Sequence, residues 1–200
     1  VPEGGMSMSV DPRVDFKLLV VGASAGGVNA LQTLLAALPE DLPLPVLVVL
    51  HLPRDRPSRN VDLLDMRCPL PVREADDKQP LLPGRVTFAP PDYHLLVEDA
   101  TTLALSVDAP VLYSRPAIDP LFESAAEVFG AGVLAILLTG ASNDGSAGVA
   151  AVRQAGGHAW IQCPDAAFSP IMPAAALAHA GADAVLPLSS ICTRIKGLAR

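Results

Sequence analysis

The sequence predicts an α/β domain: a doubly wound, mostly parallel sheet with helices on both faces and an antiparallel hairpin in the middle. Three observations carry this reading. Near both ends of the chain, short Val- and Leu-rich runs alternate with stretches whose apolar residues recur at helical spacing. The first such group, Phe16–Leu50, is a β-α-β unit, and these are nearly always parallel with a right-handed crossover. Between Pro39 and Pro120, both included, lie 14 of the 20 prolines, so long helices are excluded from the middle.

Taken in order, Phe16–Val21 is an apolar run closed by Gly22 and reads as a strand buried on both faces. Over Gly26–Leu38 the period changes: Val28, Leu31, Leu34, Leu35 and Leu38 share one helical face, and Pro39 stops the helix. Val46–Leu50 is a second buried strand. In the proline-rich middle, Arg59–Met66 predicts a short helix, and Val72–Glu74 and Arg85–Ala89 predict short strands. His94–Glu98 and Thr102–Ser106, joined by Asp99-Ala100-Thr101, predict the hairpin. Asp119-Pro120 opens a helix, with Asp119 expected as its N-cap and Pro120 at the first helical position. Its apolar face is Leu121, Phe122, Ala125, Val128 and Phe129. Then come a strand at Val133–Leu138, a helix at Ser146–Gln154 stopped by Gly156-Gly157, and a strand at His158–Gln162. A helix at Met172–Ala180, a strand at Ala184–Leu186 and a helix at Ser189–Leu198 complete the series. The first 15 residues are small, polar and rich in breakers; a flexible tail is expected there, with residues 16–200 as one domain.

Composition narrows the function classes. With 50% hydrophobic and 18% charged residues, and a mean hydropathy of +0.39, the chain is not of the disordered class. Its most apolar runs, such as Gly132–Leu138, are too short to span a bilayer. A net charge of -7 argues against a general nucleic-acid binder, and 4% aromatic residues against a stacking platform for single strands. The cysteines are Cys68, Cys163 and Cys192, an odd number with no C-x-x-C or close Cys/His pair. No disulfide framework or zinc site is expected, and a reducing cytoplasm is the simplest setting. The opening residues hold no apolar core of a signal peptide.

In open α/β sheets, ligands sit outside the carboxyl ends of the strands. After the first strand comes Gly22-Ala23-Ser24-Ala25-Gly26-Gly27; after the second, His51-Leu52-Pro53; after Val133–Leu138, Thr139-Gly140-Ala141-Ser142-Asn143-Asp144-Gly145. A Ser, a His and an Asp are thus expected at one sheet edge, the parts of an acyl-transfer triad. Ser24 lies in a strand-to-helix turn of small residues, like a nucleophile elbow, and the helix start beyond it offers unpaired N–H groups to an oxyanion. His51 is placed to take the Ser24 proton, and Asp144 to hold the imidazole tautomer. The competing reading is a nucleotide-binding or regulatory α/β domain. Gly22-x-x-x-Gly26-Gly27 matches G-x-G-x-x-G only loosely, no Walker lysine follows, and His51 stands where a ribose-binding acid would be. His94, His158 and His179 read as structural or surface residues. Arg54, Arg56 and Arg59 crowd just after His51, either as a solvated face or to meet an anionic surface.

At these residues the sequence resembles the catalytic domain of the CheB chemotaxis methylesterase family. The family's Gly-x-Ser-Thr-Gly-Gly is similar to Gly22–Gly27, its His-Met-Pro to His51–Pro53, and its Leu-Thr-Gly-Met-Gly-x-Asp-Gly to Leu138–Gly145. Weaker matches are Val72–Ala75, Phe88–His94, Arg115–Asp119 and Met172-Pro173, so the resemblance runs from Phe16 to Leu198. It implies hydrolysis of γ-glutamyl methyl esters on cytoplasmic helices of chemoreceptors, releasing methanol, and in some members deamidation of glutamines. It implies Ser24 as nucleophile, His51 as general base and acid, and Asp144 as its orienter. Backbone around Ala25, Gly26, Gly140 and Ala141 is implied to lie by the oxyanion and substrate; no metal or cofactor is implied. Four departures stand out: Ala25 replaces the family's Thr, Ala141 its Met, Ser142 the following Gly, and Arg56-Pro57 a Phe-Thr pair after the His. The family's receiver domain has no counterpart in this sequence, which implies either a separated catalytic domain or a free-standing relative.

Overall fold

The computed structural model describes residues 15–51 and 64–199. The expected tail therefore lies outside the described residues, as does most of the Arg59–Met66 helix; Leu64 and Asp65 are helical.

Among the described residues the strands are β1 (Leu18–Ala23), β2 (Val46–Leu50), β3 (Val72–Glu74), β4 (Val86–Phe88), β5 (His94–Val97), β6 (Leu103–Ser106), β7 (Val133–Leu137), β8 (His158–Gln162) and β9 (Ala184–Leu186). The helices are α1 (Gly27–Leu35), α2 (Ile118–Phe129), α3 (Ser146–Gln154), α4 (Ile171–Ala180) and α5 (Leu188–Ile195). Seven strands form one sheet in the order β3-β4-β2-β1-β7-β8-β9. Every pairing in it is parallel. The hairpin β5-β6 is antiparallel and forms its own two-stranded sheet.

The central strands are apolar at every position because both faces are covered. On one face, Leu19, Val21, Val46 and Val48 pack with Leu31, Leu34 and Leu35 of α1 and Ile191 and Ile195 of α5. On the other, Leu18, Val20, Leu47 and Val49 pack with Leu121, Phe122 and Ala125 of α2, Val149 and Val152 of α3, and Met172 of α4. Leu95 and Leu103 of the hairpin join this second core.

The outermost ends of elements differ from the sequence reading. β1 begins and ends two residues later than the apolar run, because parallel pairing continues to Ala23 opposite Leu50. Ser24 is thus the first residue beyond the strand. α1 stops at Leu35, short of the predicted Leu38. Asp119 is not an N-cap: the cap position of α2 is Ala117, in extended conformation and with no side-chain hydrogen bond of its own. The N–H groups of Ile118 and Asp119 are taken instead by the Asp144 carboxylate from across the sheet edge. Pro120 stands at the third residue of α2, still in the first turn where no N–H is required.

Candidate active site

β1 has β2 on one side and β7 on the other, so the chain winds outward in both directions from this point. The loops at the carboxyl ends of these strands meet at the crevice where ligands bind in such sheets. Ser24 follows β1, His51 follows β2 and the Asp144 loop follows β7.

The backbone fixes the first two side by side. The His51 N–H donates to the Ala23 carbonyl at 3.0 Å, and the Ser24 N–H donates to the Thr139 carbonyl at 2.9 Å. Ser24 is therefore held between the β2 and β7 ends. The chain then turns through Gly26, whose φ of 75° is left-handed, and enters α1. The side chain of Phe168 fills the space a Cβ on Gly26 would occupy, at 2.6 Å. Buried Thr139 ties the turn down: its hydroxyl donates to the Ala25 carbonyl at 2.8 Å and accepts the Ser169 N–H at 2.8 Å.

His51 and Asp144 are joined directly, with Nε2 2.7 Å from Oδ2. Asp144 is fully buried. Its Oδ2 also accepts the Ile118 N–H at 2.6 Å, and its Oδ1 accepts those of Asp119 and Gly145, each at 2.9 Å. Burial alone would push this carboxyl up. The hydrogen bond from His51, then those from Ile118 and Asp119, outweigh it and hold Asp144 below the ordinary carboxylate range. An ionised carboxylate only accepts, so Nε2 of neutral His51 carries the proton and Nδ1 keeps the free lone pair. Nδ1 is thus the ring nitrogen left open to accept a proton.

Asp119 lies behind Asp144. Its Oδ1 accepts the N–H groups of Gly145 at 2.9 Å and Gly148 at 2.7 Å, which anchors the Asp144 loop and the start of α3. Burial pushes its carboxyl up to about 6, against the Gly148 hydrogen bond and with the Asp144 charge adding to the rise.

The structure brings His51 and Asp144 into contact and sets Ser24 at the neighbouring strand end. Among the described residues the Ser24 hydroxyl makes no hydrogen bond; the hydroxyl that contacts Nδ1 is that of Ser114, at 3.5 Å. Gly140, implied to lie by the oxyanion and substrate, sits against Ser24. Its N–H donates to the Ser169 carbonyl at 3.2 Å, so it is not a free oxyanion donor. It serves as a close-packed wall, since a Cβ there would lie 2.6 Å from Met172 Sδ and 2.9 Å from Ser24 Cβ. Buried Met172 supplies apolar surface beside the serine. Ala141 is exposed at the rim. Arg54, Arg56 and Arg59 lie outside the described residues. Sequence reasoning missed Ser114, the Asp119 tie and the Thr139 clamp; Ser114 carries no local signal beyond preceding Arg115-Pro116. Among the described residues no group of three His, Cys, Asp or Glu could hold a metal ion, and the three cysteines are free. No described helix is long and apolar enough to cross a membrane.

A parallel doubly wound sheet with a serine, a histidine and an aspartate past the carboxyl ends of three adjacent strands defines an open α/β protein with its site at the switch point of the sheet. The family model for CheB methylesterase matches residues 19–195, and the chain belongs to that family. The crystal structure of the Thermotoga maritima CheB methylesterase catalytic domain superposes with a TM-score of 0.86 at 31% identity, covering 92% of this chain and 100% of that one. Protein-glutamate methylesterase/protein-glutamine glutaminase 1 of Anaeromyxobacter dehalogenans is 41% identical over 186 residues, 92% of this chain and 53% of its own length. A Leptospira interrogans relative assigned the same pair of activities is 36% identical over 178 residues, 89% of this chain and 92% of its own. The chain thus spans nearly all of the second relative and about half of the first.

Proposed function

We propose that Ser24, His51 and Asp144 form a working triad that hydrolyses γ-glutamyl methyl esters on a protein to glutamate and methanol, and that deamidates glutamine at the same site. The observation that carries this is the 2.7 Å His51–Asp144 hydrogen bond beside Ser24, at the switch point of the sheet. Membership of the CheB methylesterase family, and relatives named for both activities, supply the substrate class.

The steps follow from the geometry. Nδ1 of His51 takes the Ser24 Oγ proton as the oxygen attacks the ester carbonyl; such hydrogen bonds commonly tighten only once substrate is bound. Asp144 stabilises the imidazolium through Nε2–H without taking its proton. The N–H of Ala25, next after the nucleophile, is the proposed oxyanion donor by analogy with a nucleophile elbow, while Gly140 confines the serine. The imidazolium then protonates the leaving group. Methoxide leaves as methanol and amide nitrogen as ammonia, so one acyl-enzyme serves both reactions. A water deprotonated by Nδ1 completes the cycle.

The substrate surface is proposed to be a methylated chemoreceptor-like helix in the cytoplasm, whose carboxylates beside the ester meet Arg54, Arg56 and Arg59. A nucleotide-binding role has less support, since the Gly27 N–H is taken by the Ser24 carbonyl at 2.7 Å. The test is methanol release from a methyl-esterified receptor helix. Ser24→Ala and His51→Ala should each lower turnover on the order of 10³-fold or more, and the double variant little further. Retained turnover in Ser24→Ala, or additive losses, would overturn the shared triad.

A further inference from the structure

Nδ1 of His51 has the hydroxyl of Ser114 beside it. Ser114 Oγ stands 3.5 Å away, at the limit of a hydrogen bond. The local chain is built to keep it there. Val111 and Ser114 exchange two backbone hydrogen bonds, of 3.0 and 2.8 Å, around a tight turn in which Leu112 and Tyr113 both take positive φ, 46° and 67°. The next residue, Arg115, is anchored on the far side. Its guanidinium donates to Asp92 Oδ1 at 3.0 and 3.2 Å, and to the carbonyls of Val107 at 2.9 Å and Asp108 at 3.1 Å. A four-bond clamp and a strained turn thus flank one half-buried serine that faces the base.

Ser114 is poorly built to be a nucleophile, because the first N–H groups of α2, which begins four residues on, are already taken by the Asp144 carboxylate and are not open to an oxyanion. Its position suits another task. Once Ser24 is acylated, its oxygen no longer carries a proton for Nδ1, and water must take that place. We propose that Ser114 positions the hydrolytic water of the second half-reaction; this rests on the acyl-enzyme reading above. The water donates one hydrogen to His51 Nδ1 and the other to Ser114 Oγ, which aims its lone pair at the acyl carbon. The water oxygen–carbon bond forms as Nδ1 takes the proton. The carbon–Ser24 Oγ bond then breaks, and the imidazolium returns the proton to Ser24 Oγ, leaving a carboxylic acid. The first half-reaction has its own proton donor, Ser24, and does not need Ser114.

The two half-reactions separate with p-nitrophenyl acetate, by stopped-flow and by mass spectrometry of acid-quenched protein. In Ser114→Ala the p-nitrophenol burst should keep its rate within about threefold, while steady-state turnover falls about 10–100-fold and the acetyl-enzyme accumulates. Peptide mapping should place the acetyl group on Ser24. Ser114→Thr, which keeps the hydroxyl, should recover most of the turnover; a serine that only supports the loop would not spare the burst. Equal loss in both phases, no loss in either, or an acetyl group on Ser114 overturns the proposal. An acetyl group on Ser24 of neither the parent protein nor Ser114→Ala overturns the acyl-enzyme itself.

Discussion

Asp119 and Asp144 hold each other's helices. Asp144 accepts the first N–H groups of α2, where Asp119 sits, and Asp119 Oδ1 accepts the N–H groups of Gly145 and Gly148 at the start of α3, next to Asp144. Asp144 is therefore fixed by a reciprocal capping arrangement, and each carboxylate lies where helix dipoles favour negative charge. The two titrate in opposite directions: Asp144 below its ordinary value and Asp119 up to about 6.

That separation sets a pH dependence of stability. Asp119 titrates at about 6 in the fold against 3.8 ordinarily, so between these values the native state holds a proton that the unfolded chain has lost. Stability contributed by this group falls as pH rises through the window and is fully lost above it. Asp144 acts in the other direction, and its contribution is lost only as pH falls below 3.8. Asp119→Asn keeps an oxygen for both glycine N–H groups and removes the charge. Thermal unfolding at about pH 5 and about pH 7 should show a smaller drop in Tm for Asp119→Asn than for the parent. Equal drops would mean that the Asp119 charge carries no such cost.

Asp144→Asn should damage chemistry more than the fold. An amide oriented to cap α2 turns its NH2 toward Nε2, which imposes the wrong imidazole tautomer and lowers kcat roughly 10³–10⁴-fold. The carboxylate also accepts three backbone N–H groups, so urea unfolding should show a loss of about 1–2 kcal/mol. Activity measured on protein shown to be folded separates the two effects. A rate loss that merely tracks the unfolded fraction would make Asp144 structural.

Much of this was legible because the chemistry sits where periodicity is strongest. Fully apolar runs mark β1, β2 and β7, and ligand sites in parallel sheets lie past strand ends, so Ser24, His51 and Asp144 could be named from order alone. What was not legible depends on long-range pairing. The end of β1 is set by β2 at Leu50, not by the apolar run. Asp119 looked like a cap for its own helix because Asp-Pro is a local signal, but its carboxylate is used 26 and 29 residues away. Ser114 reaches His51 across 63 residues through the Arg115 anchor, which no local pattern encodes. The tie of the Gly140 N–H to the Ser169 carbonyl likewise rests on a partner that only the folded chain supplies.

Gly140→Ala tests the wall beside the nucleophile. The new Cβ would stand 2.6 Å from Met172 Sδ and 2.9 Å from Ser24 Cβ, and Met172 is fully buried with little room to yield. Overpacking of this kind costs about 1–3 kcal/mol. Displacing Ser24 by a fraction of an ångström should cost rate as well, to about 10²-fold. Gly197→Ala is the control, since nothing lies within 4 Å of its Cβ position, and both its stability and its activity should be unchanged. If Gly140→Ala loses stability but keeps kcat, the wall packs the core without placing the serine.

The arginines after His51 bear on recognition of the protein substrate. Among the described residues Arg73, Arg115 and Arg153 are each paired with an aspartate. Arg54, Arg56 and Arg59 form the densest basic run in a chain of net charge -7, directly after His51. A receptor helix brings carboxylates beside its ester, and a small neutral ester brings none. Each exposed pair contributes about 0–1 kcal/mol, so Arg56→Glu with Arg59→Glu should lower kcat/KM on the helix by roughly tenfold and leave the small ester unchanged. Raising salt should weaken the parent's capture of the helix in the same direction, because exposed pairs are screened. Kinetics on both substrates at two ionic strengths check this. A parallel fall on both would place the arginines in support of the fold. No fall on either would make them a solvated face, with the helix docking elsewhere.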